Sequence, residues 1–409
     1  MRRITIVGGG QSGLQLGIGL VQRGYEVTVV SNRSPEEIRD GRVMSSQFMF
    51  HTALESERAL GIDFWEAECP YTDGLGISVA GPDGQKALSW AYRLDHPGQS
   101  VDQRVKFPGW MRHLQEIGGT LVLEDAGVES LERYAGTSDL VVVAAGKGEI
   151  AQLFERDPER SPFDRPMRAL ALTYVTGMTP YEPFTRVSFN IAPGVGEYFV
   201  FPALTTTGPC EIMVFEGIPG GPMDCWGDVS TPEEHLAKSL WVLETFFPWE
   251  AERCREVALT DPNGILSGRF PPTVRKPVAL LPSGLPVLGM ADAVVLNDPI
   301  TGQGSNSAAK CATHYLQRIV ERGDDDFDVP WMEETFAGYW EYAQAVTTWT
   351  NAFLLPPPEH VLQVLGAAAE VEGVGRAFVN GFDDPRTYFP WLFDPAAAAA
   401  FIEEQRVAV

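Results

Sequence analysis

The chain has 409 residues, of which 44% are hydrophobic and 21% charged, a composition typical of a soluble globular protein that is long enough for two domains. Its formal net charge of −24 argues against nucleic acid or an anionic membrane as a partner. No apolar stretch reaches the roughly 18 residues of a membrane span, and the five cysteines are scattered without a C-x-x-C spacing. We therefore expect a cytoplasmic protein with reduced thiols and no metal site.

The first 31 residues have the pattern of a βαβ unit. Residues 3–7 and 25–31 are apolar runs rich in β-branched side chains, and a G-x-G-x-x-G turn followed by a helical stretch lies between them. Gly8 would permit the tight turn, Gly10 would let the backbone approach a pyrophosphate, and Gly13 would let the helix pack closely on the strands. The helix start would receive the diphosphate. The residues predicted to contact a dinucleotide here are Gly8, Gly10, Gln11, Ser12 and Gly13.

The end of the second strand departs from the pattern of an NAD-binding domain. Such a domain usually carries an acidic residue there to hold the ribose 2′-hydroxyl. This chain has Asn32 and Arg33 instead, with Glu36 and Glu37 following at a predicted helix start. NAD is therefore a poor first guess, and we expect Asn32 and Arg33 to contact a cofactor that is held differently.

Residues 41–50 alternate in character. If this segment is extended, Ser45, Gln47 and Met49 share one face, and the other face is bulky and apolar apart from Ser46. A strand that lines a ligand cavity has this pattern. A strand that is buried on one side and wet on the other has it equally.

The middle of the chain changes from alternating helices and strands to closely spaced strands. A predicted helix follows residues 101–104, and a buried parallel strand covers residues 139–146. Between residues 165 and 275, prolines and glycines separate short β-rich runs, and one helix is predicted at 232–247. The candidate strands of this region are 169–176, 185–191, 197–201 and 211–215.

The last informative stretch is residues 289–306. A strand ending in Gly289-x-x-Asp292 would place a carboxylate near a ribityl chain, and residues 302–306 would present backbone N–H groups at a helix start. Aimed at the pyrimidine edge of an isoalloxazine, these donors would stabilise negative charge on a reduced flavin. Arg42 and Arg104 fit the same cofactor, with surface or salt-bridge roles as the alternative. The predicted cofactor residues of this stretch are Asp292, Gly302, Gln303, Gly304, Ser305 and Asn306.

On these motifs the chain resembles the FAD-dependent aromatic hydroxylase fold of para-hydroxybenzoate hydroxylase. It is more similar to the oxygenase component of two-component styrene and indole monooxygenases. The resemblance implies an α/β fold with a Rossmann-type FAD-binding domain, an inserted mixed or antiparallel β-sheet substrate domain and a C-terminal helical segment. The implied FAD-binding domain is 1–165 with 275–345, and residues about 45–95 contribute to the substrate side. The implied substrate domain is 166–274, and the helical segment is 346–409.

The resemblance also implies the chemistry. Family members take FADH₂ from a separate NADH-dependent flavin reductase, form a C4a-hydroperoxyflavin with O₂, and deliver oxygen to an electron-rich C=C bond without a side-chain acid or base. Styrene-type members are expected to carry Asn, Val and His where this chain has Ser45, Gln47 and Met49, which are similar to the indole branch. Pro299 is expected beside the flavin, and Gln47 near the indole N–H. A homodimer is expected from the family alone.

Four alternatives stay open at this point. They are a styrene epoxidase, a self-sufficient hydroxylase that oxidises NAD(P)H itself, a flavin-free escort or inhibitor module of the same fold, and a flavin carrier without enzymatic activity. A flavin-dependent halogenase is disfavoured because the W-x-W-x-I-P segment is absent from the sequence.

Overall fold

The computed structural model describes residues 2–146 and 148–407. In chain order, the strands are β1 (Arg3–Val7), β2 (Glu26–Ser31), β3 (Phe48–Met49), β4 (Thr72–Ala80), β5 (Lys86–Ser100), β6 (Thr120–Leu123), β7 (Leu140–Val143), β8 (Ala169–Thr176), β9 (Arg186–Ala192), β10 (Gly196–Thr205), β11 (Gly208–Gly217), β12 (Ala258–Leu259), β13 (Ile265–Gly268), β14 (Thr273–Val274), β15 (Val278–Leu280), β16 (Pro286–Gly289) and β17 (Val295–Leu296).

The helices alternate with these strands in the first part of the chain and dominate the last part. They are α1 (Gln11–Val21), α2 (Pro35–Arg39), α3 (His51–Leu60), α4 (Gln103–Glu116), α5 (Val128–Ala135), α6 (Pro232–Phe246), α7 (Pro248–Ala251), α8 (Gly304–Arg322), α9 (Val329–Phe353), α10 (Glu359–Ala367), α11 (Glu372–Asn380) and α12 (Pro395–Val407). Short 3₁₀ turns include Ala291–Ala293 and Pro299–Thr301.

The predicted βαβ unit is confirmed and forms the centre of a six-stranded sheet with the order β15-β16-β7-β1-β2-β6. β16, β7, β1, β2 and β6 run parallel, and β15 joins the edge antiparallel to β16. The apolar run of β1 is buried from Ile4 to Val7, as its β-branched sequence requires for a strand covered on both faces. Helices α1 and α8 pack against each other over this sheet. The carboxyl ends of the parallel strands therefore meet at one edge.

Within the described residues, a second sheet contains nine strands and runs β12-β8-β11-β10-β9-β4-β5-β3, with β13 paired to β8. The predicted strand at 169–176 is observed as β8, and β11 extends the predicted strand at 211–215 at both ends. β4 pairs with β9 in parallel, which joins the hairpin β4–β5 to the later strands. One continuous sheet thus contains residues from both sides of β6 and β7.

The segment before β3 is not paired in a sheet, so the extended strand considered for residues 41–50 is limited to its last part. Only Phe48 and Met49 pair in a sheet, with β5. Before them, the N–H of Val43 donates to the carbonyl of Asn263, and the hydroxyl of Tyr174 donates to the carbonyl of Ser45. The polar groups of this segment are satisfied by other loops and side chains rather than by a neighbouring strand.

Helices α9 to α12 cover the second sheet. The aromatic positions at helical spacing in α9 are packing residues, because Phe336, Tyr339 and Trp349 are buried. Trp349 packs edge-to-face on Phe382 at 4.8 Å between ring centroids. Below these helices lies a core shared with Phe48 and Phe50, which brings the C-terminal helices next to the β3 segment.

Candidate functional site

A cavity of about 630 Å³ opens at the carboxyl edge of the six-stranded sheet. This size falls in the range of cofactor sites, and the edge is where ligands bind in open α/β sheets. Its walls come from the turn after β1, the ends of β2, β6 and β7, the segment before β3, and the loop and helix after β16. The lining residues are 7–12, 30–33, 38, 44–45, 103, 107, 124–127, 144–146, 148–150, 291–292, 304–305 and 308.

The three glycines of the first turn have different surroundings. Gly8 has φ of +134°, and a Cβ there would lie 2.8 Å from the carbonyl carbon of Ala144. A Cβ on Gly13 would lie 1.9 Å from the carbonyl oxygen of Gly8. A Cβ on Gly10 would meet no protein atom within 4 Å, although Gly10 lines the cavity. Close packing within the protein therefore explains why glycine is needed at positions 8 and 13. At position 10, glycine instead leaves space for a ligand.

Two helix N-termini border the cavity, those of α1 and α8. Their N-cap residues, Gly10 and Gln303, make no side-chain capping hydrogen bond, and neither helix has an acidic residue in its first turn. By contrast, Ser34 and Asp328 cap α2 and α9 with their side chains. The first N–H groups of α1 and α8 have no intrahelical partner, so both helix dipoles can stabilise negative charge in the cavity.

The loop after β2 places its two predicted residues at the cavity. The neighbouring strand β6 places two further residues there, which the sequence analysis missed. Asn32 and Arg33 line the cavity, as do Glu124 and Asp125 at the end of β6. β6 pairs in parallel with β2. Its two carboxylates therefore lie beside the end of β2, where the acidic residue of an NAD-binding domain is missing. The signal available in the sequence was the acidic pair Glu124 and Asp125 directly after the apolar run at 121–123.

Glu124 is held in its charged form. Its carboxylate accepts hydrogen bonds from Ser130 Oγ, Tyr134 Oη and Arg133 Nη2, each at 2.6 Å to the nearest oxygen. These donors lower the pKa of Glu124 to about 2, with Ser130 the largest contributor. The cavity thus has an acidic rim on the side of β6.

Residues 289–306, the last stretch predicted to contact the cofactor, reach the cavity only in part. Asp292, Gly304 and Ser305 line the cavity. Asp292 follows Ala291, whose φ of +48° is unusual for a residue with a side chain. Gly302, with φ of +64°, ends the turn Pro299–Thr301.

Gln303 and Asn306 are not among the residues that line the cavity, and a contribution of their backbone N–H groups to cofactor binding stays a prediction. Asn306 Nδ2 donates to the carbonyl of Phe48 at 2.9 Å, and its Oδ1 accepts from the N–H of Phe50 at 2.8 Å. Gln303 Nε2 donates to the carbonyl of Phe382 at 2.9 Å. Both side chains fasten α8 to the β3 segment and to the C-terminal helices.

Arg104 does not line the cavity either, and its expected contact with the cofactor stays a prediction. Its side chain is 2% exposed and makes ion pairs of 2.9 Å with Asp102 and Asp261. Nη2 donates to Thr205 Oγ1 at 3.0 Å. The alternative of a salt bridge is the one observed. Arg42 is exposed and does not line the cavity.

Ser45, Gln47 and Met49, which would share one face of an extended strand, have different surroundings in the structure. Ser45 lines the cavity and accepts a hydrogen bond of 2.7 Å from Gln103 Nε2. Gln47 is buried behind it and donates to Tyr174 Oη at 3.0 Å, while Ser45 Oγ donates to Gln47 Oε1 at 3.2 Å. Ser45 and Gln47 therefore form one hydrogen-bonded chain that begins at the cavity.

Met49 lies in a different environment from Ser45 and Gln47, because β3 begins only at Phe48 and the segment before it is not paired in a sheet. Its sulfur accepts from Lys106 Nζ at 3.3 Å, and Lys106 forms a buried ion pair of 2.7 Å with Glu57. Glu57 also accepts from Gln11 Nε2 at 2.9 Å. Met49 is thus linked to the first glycine turn rather than to the wall of the cavity.

Pro299 is half-buried and does not line the cavity. It begins the 3₁₀ turn Pro299–Thr301, and Asp298 Oδ1 accepts the N–H of Ile300 at 3.1 Å at the start of that turn. The turn leads through Gly302 into the N-terminus of α8. The position of Pro299 relative to the cavity therefore depends on where α8 begins.

The cavity fits FAD better than it fits a metal. Two uncapped helix N-termini suit a diphosphate and the pyrimidine edge of a reduced flavin, and the open space at Gly10 allows close approach of a ligand. No group of three or more His, Cys, Asp or Glu residues within 2–146 and 148–407 is arranged to hold a metal ion. In the same part of the chain, no helix is both long and apolar enough to cross a membrane.

Sequence comparison finds relatives over nearly the whole chain. Residues 146–253 match a family described as the styrene monooxygenase A putative substrate binding domain. The chain is 29% identical over 406 residues to styrene monooxygenase StyA of Pseudomonas fluorescens, and the match covers 96% of each protein. A second StyA, from Pseudomonas sp, matches with the same identity and coverage.

The fold is shared with solved flavoenzymes. The flavin-dependent brominase Bmp2 superposes with a TM-score of 0.66 at 15% identity, covering 99% of each chain. 2-Methyl-3-hydroxypyridine-5-carboxylic acid oxygenase superposes with a TM-score of 0.60 at 16% identity, covering 98% of this chain and 96% of that one. The predicted fold class, a mixed α/β fold of FAD-dependent oxygenases with a helical C-terminus, is confirmed.

Fold, cavity and relatives together support an oxidoreductase of the flavin-dependent monooxygenase class, for which FAD and O₂ are the implied cofactor and co-substrate. Within this class, the full-length similarity and the matched domain support a StyA-like oxygenase.

Proposed function

We propose that this chain is the oxygenase component of a two-component system. It takes reduced FAD from a separate NADH-dependent flavin reductase and uses O₂ to epoxidise the C2=C3 bond of indole, which leads to indoxyl and indigo. Styrene-like alkenes and sulfides are further substrates. The observation that carries this proposal is a flavin-sized cavity with two uncapped helix N-termini, in a chain that is similar to StyA over 96% of its length.

The residues around the cavity would hold the cofactor in two places. The turn at Gly10 and the N-terminus of α1 would bind the diphosphate, and Gly304 and Ser305 at the N-terminus of α8 would face the flavin ring. Reduced FAD bound there would supply, with O₂, the oxygen-transfer chemistry. The chain contributes donors for negative charge at the two helix N-termini.

Substrate preference would depend on the hydrogen-bonded chain from Ser45 to Tyr174. Ser45 Oγ lies at the cavity, and Gln47 Oε1 accepts hydrogen bonds just behind it. Ser45 Oγ offers an acceptor for the indole N–H, which styrene lacks, and Gln47 would act through its hydrogen bond to Ser45. Met49 acts here through the backbone of β3, because its sulfur is engaged by Lys106.

A styrene epoxidase proper is the second candidate, and the relatives named styrene monooxygenase favour it. This candidate keeps the fold, the cofactor and the reductase. It differs in the role of the polar chain at Ser45 and Gln47, which would then be structural.

One reconstituted assay separates these possibilities. The purified protein is supplied with FAD, NADH, an unrelated flavin reductase, catalase and either indole or styrene, and each component is omitted in turn. Indigo that requires both proteins supports the proposal. Styrene oxide without indigo replaces it with the styrene epoxidase.

Two other outcomes would overturn the two-component proposal. Rapid NADH oxidation by the chain alone would indicate a self-sufficient hydroxylase. A colourless protein without affinity for FAD would indicate a module that has no redox activity. The flavin-binding measurement is made first because it also interprets a negative activity assay.

A further inference from the structure

Four ionisable side chains are buried together behind the turn Pro299–Thr301, away from the cavity. They are Arg168 just before β8, Glu197 on β10, Glu216 on β11 and Asp298 at the start of the turn. Glu216 is 0% exposed, Asp298 2% and Arg168 5%. Burial of this many charged groups requires that each charge be matched.

The single cation of this cluster is used by one carboxylate. Arg168 donates to both oxygens of Glu197, with Nε–Oε2 at 2.7 Å and Nη2–Oε1 at 2.9 Å. Its remaining nitrogen donates to the carbonyls of Met167 and Leu354. Three carboxyl groups are therefore buried near one guanidinium, which forms an ion pair with Glu197 but not with Glu216 or Asp298.

Glu216 is the member without a donor. Within the described part of the chain, neither of its carboxylate oxygens accepts a hydrogen bond from an N–H group or a hydroxyl, and the side-chain partner of Glu216 is the carboxyl group of Asp298. Glu216 also lies directly opposite Glu197 in the antiparallel β10–β11 ladder, where two like charges destabilise a sheet. A buried carboxylate in this setting keeps its proton, because the neutral acid avoids both the desolvation and the repulsion.

The carboxyl group of Asp298 interacts with that of Glu216 and also holds the start of the turn. Its Oδ1 accepts the N–H of Ile300 at 3.1 Å. Burial raises the pKa of Asp298 to about 6, which Arg168 and the Ile300 N–H oppose and Glu197 reinforces. Burial, followed by the charges of Asp298 and Glu197, raises the pKa of Glu216 well above its usual value.

We propose that Glu216 is a protonated acid at neutral pH, that it shares its proton with Asp298, and that this acid pair positions the Pro299–Thr301 turn. The shared proton lets Asp298 stay buried while it holds the N–H of Ile300. Loss of the proton leaves two adjacent buried carboxylates, which repel each other and move Asp298 away from the turn.

The functional consequence rests on the proposed function. The turn continues through Gly302 into the N-terminus of α8, which borders the proposed flavin site. Glu216 is thus a positioning residue: it has no contact with the cavity and acts through Asp298 and the turn. Deprotonation at alkaline pH would weaken FAD binding by up to about tenfold for each pH unit above the pKa of the pair.

Infrared spectroscopy of the purified protein tests the protonation directly, without flavin. At about pH 8.5 the wild-type protein should show the C=O band of a buried carboxylic acid, and Glu216→Gln should lack it. Glu211→Gln is the matched control: Glu211 lies on the same strand and burial raises its pKa to about 7, so it is mostly ionised at that pH. The same spectra are recorded at pH 7, and absence of a band that depends on Glu216 at both pH values overturns the proposal.

The second measurement is the pH dependence of stability and of FAD binding. A carboxyl whose pKa is raised in the folded state stabilises at low pH, and this stabilisation is lost as pH rises from its ordinary value of about 4 to the folded value. The Tm of wild type should therefore fall relative to that of Glu216→Gln over this window. The Kd of the variant for FAD should then be flat where that of wild type rises.

The outcomes separate this proposal from the proposed function. A band and a pH-dependent Tm that both disappear in Glu216→Gln support the acid pair even if the protein binds no FAD. In that case only the proposed function fails. Equal pH profiles of FAD binding for wild type and variant would remove the positioning role.

Discussion

Substitution of the glycines in the first turn should separate protein stability from cofactor binding. At Gly13 a methyl group would lie 1.9 Å from the carbonyl oxygen of Gly8, a backbone atom that no rotamer change can move. At Gly10 the same methyl group meets no protein atom within 4 Å, and the φ of −99° is accessible to alanine. We therefore expect Gly13→Ala to destabilise the fold and Gly10→Ala to spare it.

The size of both effects follows from the packing. Overpacking costs about 1–3 kcal/mol, and the contact at Gly13 is short enough to place it at about 3 kcal/mol. At roughly 2.1 cal/mol/K per residue, the unfolding entropy of this chain of 409 residues is about 0.9 kcal/mol/K. Gly13→Ala should then lower the Tm of the flavin-free protein by about 3–4 °C, and Gly10→Ala by less than about 1 °C.

FAD binding should be weakened by the substitution at Gly10, although this substitution leaves the stability of the protein unchanged. The methyl group of Gly10→Ala would occupy space that the diphosphate needs, which should cost about 2 kcal/mol, or about 30-fold in Kd. Gly304→Ala is the matched variant at the other helix, because its methyl group also meets no protein atom within 4 Å. The assays are differential scanning fluorimetry without FAD and titration of flavin fluorescence.

Two results would refute this reasoning. Wild-type affinity for FAD in Gly10→Ala would mean that no diphosphate approaches this turn. A wild-type Tm in Gly13→Ala would mean that α1 is not packed on the turn as described.

Three further predictions concern side chains around the site. Gln47→Val should shift the ratio of indole to styrene turnover towards styrene by removing the amide that accepts a hydrogen bond from Ser45 Oγ at the cavity, and an unchanged ratio in the reconstituted assay would end the role of Gln47. Arg104→Ala should cost about 3–5 kcal/mol in denaturant unfolding because it leaves a buried carboxylate without its guanidinium, whereas Arg39→Ala, at an exposed ion pair, should leave the unfolding midpoint unchanged. Burial lowers the pKa of Lys310 to about 8, so the unfolded state binds more protons between about pH 8 and its ordinary value of about 10.4, and stability conferred at this position should rise with pH over that window. The Tm of Lys310→Met relative to wild type should accordingly decrease from pH 8 to pH 10, and a constant difference would contradict the assignment.

The sequence by itself determined the cofactor fold. A β-branched run, a glycine turn and a second β-branched run within 31 residues leave few alternatives to a βαβ unit, because each element is specified by neighbours in the chain. The same holds for the helix start at residues 302–306, where glycines and small polar residues permit close approach to the N-terminus of α8.

Only the tertiary structure decided which side chains reach the cavity. Arg104 and Asn306 stand in the expected motifs, but their partners are Asp261 and Phe48, which are far away in sequence. The division of Ser45 from Met49 has the same origin, since distant residues bind the backbone before β3 and prevent a regular strand. A buried polar side chain must find a hydrogen-bond partner, and it orients towards the partner that the fold places beside it. When that partner is distant in sequence, local spacing does not predict the orientation.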